Sequence, residues 1–225
     1  MVILCGGLGT RLKTLMPHRP KALAEIQGKP FLDIILEKLK REGFHDVILS
    51  IGYLGDQIRT HLQKKGDNRV VFSEEERPLG TGGALKRALS FVTTNTVLVL
   101  NGDTLFTFHL RDLLDFHRAK GAIFSMALTK QIREDGGGVH LDTHGTISSF
   151  SEKSKPAPFI NAGVYAVEKK IMNFMPSAET FSLEHDFFPS LVRQERCFGF
   201  PTKSEIIDIG TPERYQEAQR YAQEL

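Results

Sequence analysis

The chain has 225 residues, of which 40% are hydrophobic and 25% charged, with a formal net charge of +2. It is too apolar for a disordered chain and long enough to bury a full sheet-and-helix core, so one domain over residues 1–225 is expected. Its cations are interspersed with acids, which excludes a nucleic-acid footprint. Its two cysteines make neither a disulfide framework nor a metal-ligand set, and no apolar stretch reaches membrane-span length.

Val2-Ile3-Leu4 reads as a buried strand that breaks into Cys5-Gly6-Gly7-Leu8-Gly9-Thr10-Arg11-Leu12. Glycines there let backbone N–H groups wrap an anion. The P-loop pattern G-x-x-x-x-G-K-[ST] is absent, and a dinucleotide fingerprint from Gly7 would need a glycine where Leu12 stands. What remains is a turn delivering Arg11, with a second cation, Lys21, held after Pro20. Taken alone, the stretch fits a phosphate cradle or a glycine turn with two solvated charges. With no signal-peptide form at this end, the expected compartment is the cytoplasm.

Phe31, Ile34, Ile35 and Leu39 fall at helical spacing before Gly43, which predicts a helix over Phe31 to Glu42. Val47 to Ile51 reads as a strand, Gln57 to Lys65 as a helix and Val70 to Phe72 as a strand. Alternation at this interval predicts a parallel sheet covered on both faces. A second glycine loop, Leu79 to Ala84 with Gly80, Thr81, Gly82 and Gly83, opens a helix running to about Phe91. It fits a tight turn or a close approach to a ligand at a helix amino terminus. The apolar run Thr96 to Leu100 ends in Asn101-Gly102-Asp103, which is either an Asx turn or a metal-binding acid at the ligand end of a central strand.

Leu110 to His117 predicts a helix with His117 packed inside, and Ile123 to Leu128 a strand. His140 and His144 flank a hairpin turn, and Asp135 to Gly138 before it reads as mobile. Ser182 reads as an N-cap for a helix carrying Phe187, Phe188, Leu191 and Val192. Asp208 interrupts an apolar strand, so its charge needs a metal or cation partner if buried. Thr211 and Pro212 open a terminal helix with Tyr215, Ala218, Tyr221, Ala222 and Leu225 inward.

The run Gly6-Gly7-Leu8-Gly9-Thr10-Arg11-Leu12 with Pro20-Lys21 resembles the signature of the sugar-1-phosphate nucleotidyltransferases, and the likeness extends from Val2 through Tyr215. The longer run from Leu4 to Lys13 is similar to the family's heptose 1-phosphate guanylyltransferases. The resemblance implies a Rossmann-like three-layer α/β/α fold with a mostly parallel central sheet, of the nucleotide-diphospho-sugar transferase type. It implies a nucleoside triphosphate, GTP preferred, and a sugar 1-phosphate as substrates, with Mg2+ held by Asp103 and Asp208.

By the same resemblance Arg11 and Lys21 are catalytic. Leu4, Gly6, Gly7, Gly9, Thr10, Gly80, Thr81, Gly82 and Gly83 hold the nucleotide, and Gly138, Glu152, Lys153, Asn161 and Glu184 face the sugar. Read without it, Glu152-Lys153 is an ordinary surface pair. Glu75, within Glu74-Glu75-Glu76, is either a guanine-reading acceptor or part of a solvated acidic run.

In the implied reaction a sugar phosphate oxygen attacks the α-phosphorus and pyrophosphate departs. The second pKa of a phosphate monoester is about 6, so no general base is needed, which agrees with the absence of a recognisable nucleophile–base pair. Other sugars and bases stay open, as in a GDP-mannose pyrophosphorylase or an amino-sugar 1-phosphate uridylyltransferase. A nucleotide-sensing subunit without activity is a third reading, weighed against the presence of Arg11, Lys21, Asp103 and Asp208. Oligomeric state is left open, a homo-oligomer included.

Overall fold

The computed structural model describes all residues except 8, 13–14, 67–68, 132–135, 152–156 and 222–225. Its strands are β1 (Val2–Leu4), β2 (Glu25–Ile26), β3 (Lys29–Pro30), β4 (Val47–Ile51), β5 (Val70–Glu74), β6 (Thr96–Asn101), β7 (Thr104–Phe106), β8 (Phe124–Thr129), β9 (Gly138–Leu141), β10 (Ile147–Ser151), β11 (Phe159–Glu168), β12 (Cys197–Pro201) and β13 (Ile206–Asp208). The helices are α1 (Phe31–Arg41), α2 (Gly55–Lys64), α3 (Gly80–Leu89), α4 (Leu110–Ala119), α5 (Phe188–Gln194) and α6 (Pro212–Tyr221).

Among the described residues nine strands form one sheet, whose central order is β12-β8-β11-β6-β1-β4-β5. Strands β5, β4, β1 and β6 are mutually parallel, as are β8 and β12, and β11 runs antiparallel between them. The hairpin of β9 and β10 joins the start of β11 through Phe159 and Ile160. This is the mostly parallel sheet that alternation of strands and helices predicts.

The apolar runs in β1, β4 and β6 are continuous because both faces of these strands are covered. Leu98 and Leu100 face a core shared with Ile3, Leu49 and Val164 and with the buried sides of α1, α2 and α4. Val97 and Val99 face a second core with Val2, Ile48 and Tyr165, under α3 and α5. Helix α1 ends one residue before its predicted stop, in a Schellman turn. Gly43 takes φ +84°, Phe44 N–H donates to Leu39 O at 2.9 Å and Gly43 N–H to Lys40 O at 3.1 Å.

His117 is buried and pairs Nδ1 with Ser125 Oγ at 2.9 Å, as a packed histidine should. Burial lowers its pKa, and Glu168, with Oε1 3.4 Å from Nε2, offsets this only in part. His144 and Thr146 N–H groups close the β9–β10 turn on Asp142 Oδ1, each at 2.8 Å. Helix α6 docks through buried Ala218 and through Tyr215 Oη, which donates to Glu25 O at 2.7 Å. The Tyr221 side chain, Ala222 and Leu225 lie outside the described residues. Among the described residues no helix is long and apolar enough to cross a membrane.

Candidate active site

Strands β1 and β6 pair in parallel through Leu4 and Asn101, so their carboxyl ends emerge side by side. In such sheets the ligand crevice opens there. A cavity of about 420 Å³ occupies the place, lined by Leu4, Gly6, Gly7, Gly9, Thr10, Lys21, Glu75, Gly80, Thr81 and Asp103 among others. Residues expected from four separate stretches of the sequence thus meet in one hollow. Hollows of about 550 and 710 Å³ lie against α1, away from both glycine loops.

Lys21 opens a short 3-10 turn after Pro20, and its Nζ donates to Asp103 Oδ2 at 2.5 Å. Burial works against the charged form of Asp103, but the Lys21 ammonium, with hydrogen bonds from Lys21 and Thr104, outweighs it and holds the carboxyl below its ordinary range. Asp103 is therefore an anion at neutral pH. Beside it, burial pushes the Cys5 thiol up to about 12, so the cavity wall there is a neutral thiol.

Glu75 parts company with its neighbours. Glu74 and Glu76 are exposed, whereas the Glu75 carboxylate turns inward and accepts Leu79 N–H at 3.0 Å and Ser50 Oγ–H at 3.3 Å. It rests on Gly6, where a Cβ would lie 2.2 Å from Oε1. For this residue the solvated-run reading does not hold.

The second loop departs from expectation at two residues. Gly82 and Gly83 are buried, and their N–H groups both donate to Phe181 O, at 2.9 and 3.3 Å. A Cβ on Gly82 would lie 2.2 Å from the Phe181 ring, and one on Gly83 2.2 Å from Glu179 O. The close approach that these glycines permit is to the chain's own 179–181 segment, and the expected nucleotide-binding glycines Gly82 and Gly83 stand behind the cavity lining. Gly80 and Thr81 do line the cavity.

Thr81 also ties the cavity to the next segment. Its Oγ1 donates to Glu184 Oε2 at 2.7 Å and accepts Leu183 N–H at 2.9 Å. Ser182 caps the turn as expected, its Oγ accepting from Glu184 N–H and His185 N–H at 3.1 Å each. A π-helical turn, Leu183–Phe187, precedes α5.

Asn161 sits at a bulge in β11. The five residues from Asn161 to Tyr165 oppose the three from Leu128 to Met126 on β8. Gly163, at φ +70°, makes the turn possible and passes so close to Asn101 that a Cβ would lie 2.9 Å from Nδ2. Asn161 Nδ2 donates to Tyr165 Oη at 2.9 Å, and Asn161 Oδ1 accepts Gly163 N–H at 2.9 Å. Burial and the nearby Glu184 charge raise the Tyr165 pKa well above its usual value, so the phenol stays neutral.

Gly138 is a buried strand residue paired with Ser151 and Ile160, and Gly137 O accepts Asn161 N–H at 2.9 Å. Gly138 therefore opens β9 and Gly137 is hydrogen-bonded to β11; Asp135, Glu152 and Lys153 lie outside the described residues.

Asp208 and Arg11 do not line the cavity. They meet beside it, because Asp208 pairs with Thr104 across β13 and β7 and Ile209 N–H donates to Asp103 O at 3.0 Å. Asp208 Oδ1 accepts Gly210 N–H at 2.8 Å, and Arg214 Nη1 stands 3.2 Å from both carboxylate oxygens. A Cβ on Gly210 would lie 3.7 Å from Arg11 Nη2. Arg214 escaped the sequence reading; its one signal is a cation in the first turn of a helix, where the dipole disfavours it. Among the described residues no cluster of three or more His, Cys, Asp or Glu could hold a metal. Two carboxylates next to an anion site suit a hard cation that takes its remaining oxygens from phosphate and water.

A profile described as Nucleotidyl transferase matches residues 1–224. The chain is 36% identical to D-glycero-alpha-D-manno-heptose 1-phosphate guanylyltransferase of Aneurinibacillus thermoaerophilus over 99% of this chain and 97% of that one. It is 38% identical to the protein of the same name from Campylobacter jejuni, over 95% and 96%. The crystal structure of HddC from Yersinia pseudotuberculosis complexed with GMP-PN superposes with a TM-score of 0.85 at 34% identity, covering 98% of each chain. The chain belongs to the nucleotidyl transferase family.

Proposed function

We propose that this protein transfers a guanylyl group from GTP to D-glycero-α-D-manno-heptose 1-phosphate, forming the GDP-sugar and pyrophosphate. The observation that carries it is the single cavity gathering both glycine loops, Lys21 and Asp103 at the carboxyl ends of β1 and β6. The near full-length relatives that bear this activity in their names support the choice of substrates. The protein acts as one domain in the cytoplasm.

The triphosphate rests on backbone N–H groups of the first loop, from Gly6 to Thr10, with Lys21 beside it. Guanine offers N1–H and an exocyclic amine; the inward Glu75 carboxylate, braced by Leu79 and Ser50, accepts from them. Asn161 and Glu184 meet hydroxyls of the sugar. Lys153 neutralises the sugar phosphate and Glu152 accepts from the sugar. Arg11 stabilises charge on the α-phosphate and the departing pyrophosphate. Asp103 and Asp208 would hold Mg2+, which when bound offsets phosphate charge and orients the oxygens. The attacking phosphate is already largely dianionic at neutral pH, so positioning and charge neutralisation carry the rate.

The test is pyrophosphate release with magnesium, pairing each of GTP, UTP, dTTP, CTP and ATP first with the heptose 1-phosphate and then with mannose 1-phosphate. Release confined to GTP with the heptose phosphate is expected. A different productive pair replaces the substrates and keeps the chemistry. No release with any pair, alongside measurable nucleotide binding, would favour a sensing subunit.

A further inference from the structure

Lys21 stands at the head of a short arch. Leu23 N–H donates to Pro20 O at 2.9 Å and Ala24 N–H to Lys21 O at 3.0 Å, so the turn closes on itself. Arg19 Nη1 then donates to Glu25 Oε1 at 2.6 Å, an ion pair that brackets the lysine. Beyond Glu25 the chain reverses in the hairpin of β2 and β3, where Ile26 pairs with Lys29.

The tip of that hairpin is strained. Gln27 and Gly28 both take positive φ, +50° and +76°, as the twist of a two-residue hairpin turn demands. Glycine, asparagine and aspartate are the residues that usually supply the first of these positions, and glutamine is none of them. Such strain persists where the surroundings fix it, and here they do. Gln27 N–H donates to Gln219 Oε1 at 2.9 Å and Gln27 Nε2 to Gln219 O at 2.6 Å, a reciprocal pair with α6.

Helix α6 grips the arch a second time. Phe31 N–H donates to Ala24 O, so in the alternating pattern of the ladder Glu25 is the residue whose carbonyl faces outward. That oxygen accepts Tyr215 Oη–H at 2.7 Å and Gln219 Nε2 at 2.5 Å. At its other end α6 follows β13, where Asp208 pairs with Thr104 and Ile209 N–H donates to Asp103 O. Lys21 Nζ returns to Asp103 Oδ2, which closes a ring of contacts from the lysine through the arch and α6 to the acid and back.

We propose that Gln219, with Tyr215, is a positioning residue. Through Glu25 and the strained Gln27 it fixes the arch against α6 and so holds the Lys21 ammonium at the cavity beside Asp103. The proposal rests on the reading that Lys21 serves the triphosphate.

The experiment measures GTP affinity by titration calorimetry, without sugar phosphate, beside thermal melting of the same full-length proteins. Gln27→Gly should melt within about 2 °C of the wild type, because relief of the left-handed strain offsets the lost side-chain bond. Its Kd for GTP should nevertheless rise roughly threefold, a split that a merely structural role would not produce. Tyr215→Phe combined with Gln219→Ala should raise Kd roughly three- to tenfold, the scale of one net hydrogen bond. Placed on Lys21→Ala, neither change should weaken binding further. Equal weakening with and without Lys21, or none in either, overturns the proposal and leaves α6 a structural strap only. Lys21→Ala with wild-type affinity and turnover overturns the reading of Lys21 itself. Should Lys21→Ala bind too weakly to measure, a crystal structure of Gln27→Gly decides: Lys21 Nζ should have left Asp103 Oδ2, and a lysine in its original place overturns the proposal.

Discussion

The two halves of the candidate site are built from different materials. Around the cavity at β1 and β6 the chain presents glycines and strand ends, with Lys21, Glu75 and Asp103 set among them. Around β11 and the 181–184 segment it presents side chains bonded to one another: Asn161 to Tyr165, Thr81 to Glu184, Ser182 to the next turn. A backbone site is rigid because the sheet beneath it is. A side-chain site is rigid only while its network is whole, so single substitutions should act differently in the two.

The largest effect should come from neither wall but from Arg11, beside the cavity. Arg11→Ala is expected to cut turnover by a factor on the order of a hundred or more, as loss of a preorganised charge donor does. Steady-state kinetics with GTP and the heptose phosphate check it, and unchanged turnover would remove Arg11 from the mechanism. Next comes Gly82→Ala, which drives a Cβ to 2.2 Å from the Phe181 ring. Overpacking of this kind costs about 1–3 kcal/mol, read by chemical denaturation, and should also raise the KM for nucleotide because Thr81 moves with the loop.

On the side-chain wall, Asn161→Ala should raise the KM for the sugar phosphate roughly three- to tenfold and leave the KM for GTP unchanged. Equal changes in both would erase the division between the halves. The smallest effect is on pH and lies in the core. His117 has its pKa lowered on folding, so the unfolded chain binds more protons below about pH 6.5. Stability should therefore fall with acid from about pH 6.5 down to the depressed value, and this slope should vanish in His117→Gln.

The same contrast explains what could be read before the structure. Helix α1, strands β4 and β6 and the acid after β6 follow from spacing and from short apolar runs, because those features answer to local geometry and to burial on two faces. The first glycine loop was legible as a place of close backbone approach, and Gly6, Gly7 and Gly9 line the cavity. Gly82 and Gly83 show where that reading stops. A glycine signals close approach but not the approaching group, which here is Phe181, about a hundred residues on. The bulge at Gly163, the inward turn of Glu75 and the reach of Arg214 to Asp208 depend on contacts between strands or loops distant in sequence. No local pattern records these, and only the dipole conflict at α6 hinted at one.

The central claim is that the guanylyl group passes directly from GTP to the sugar phosphate, with side chains and backbone positioning and neutralising charge while none is covalently engaged. The most direct measurement is the stereochemical course at the α-phosphorus, using GTP that carries a single sulfur of known configuration there. A single in-line displacement predicts inversion in the GDP-sugar product. Retention would require two successive displacements, hence a nucleotidyl–enzyme intermediate and a protein nucleophile, and would contradict the account.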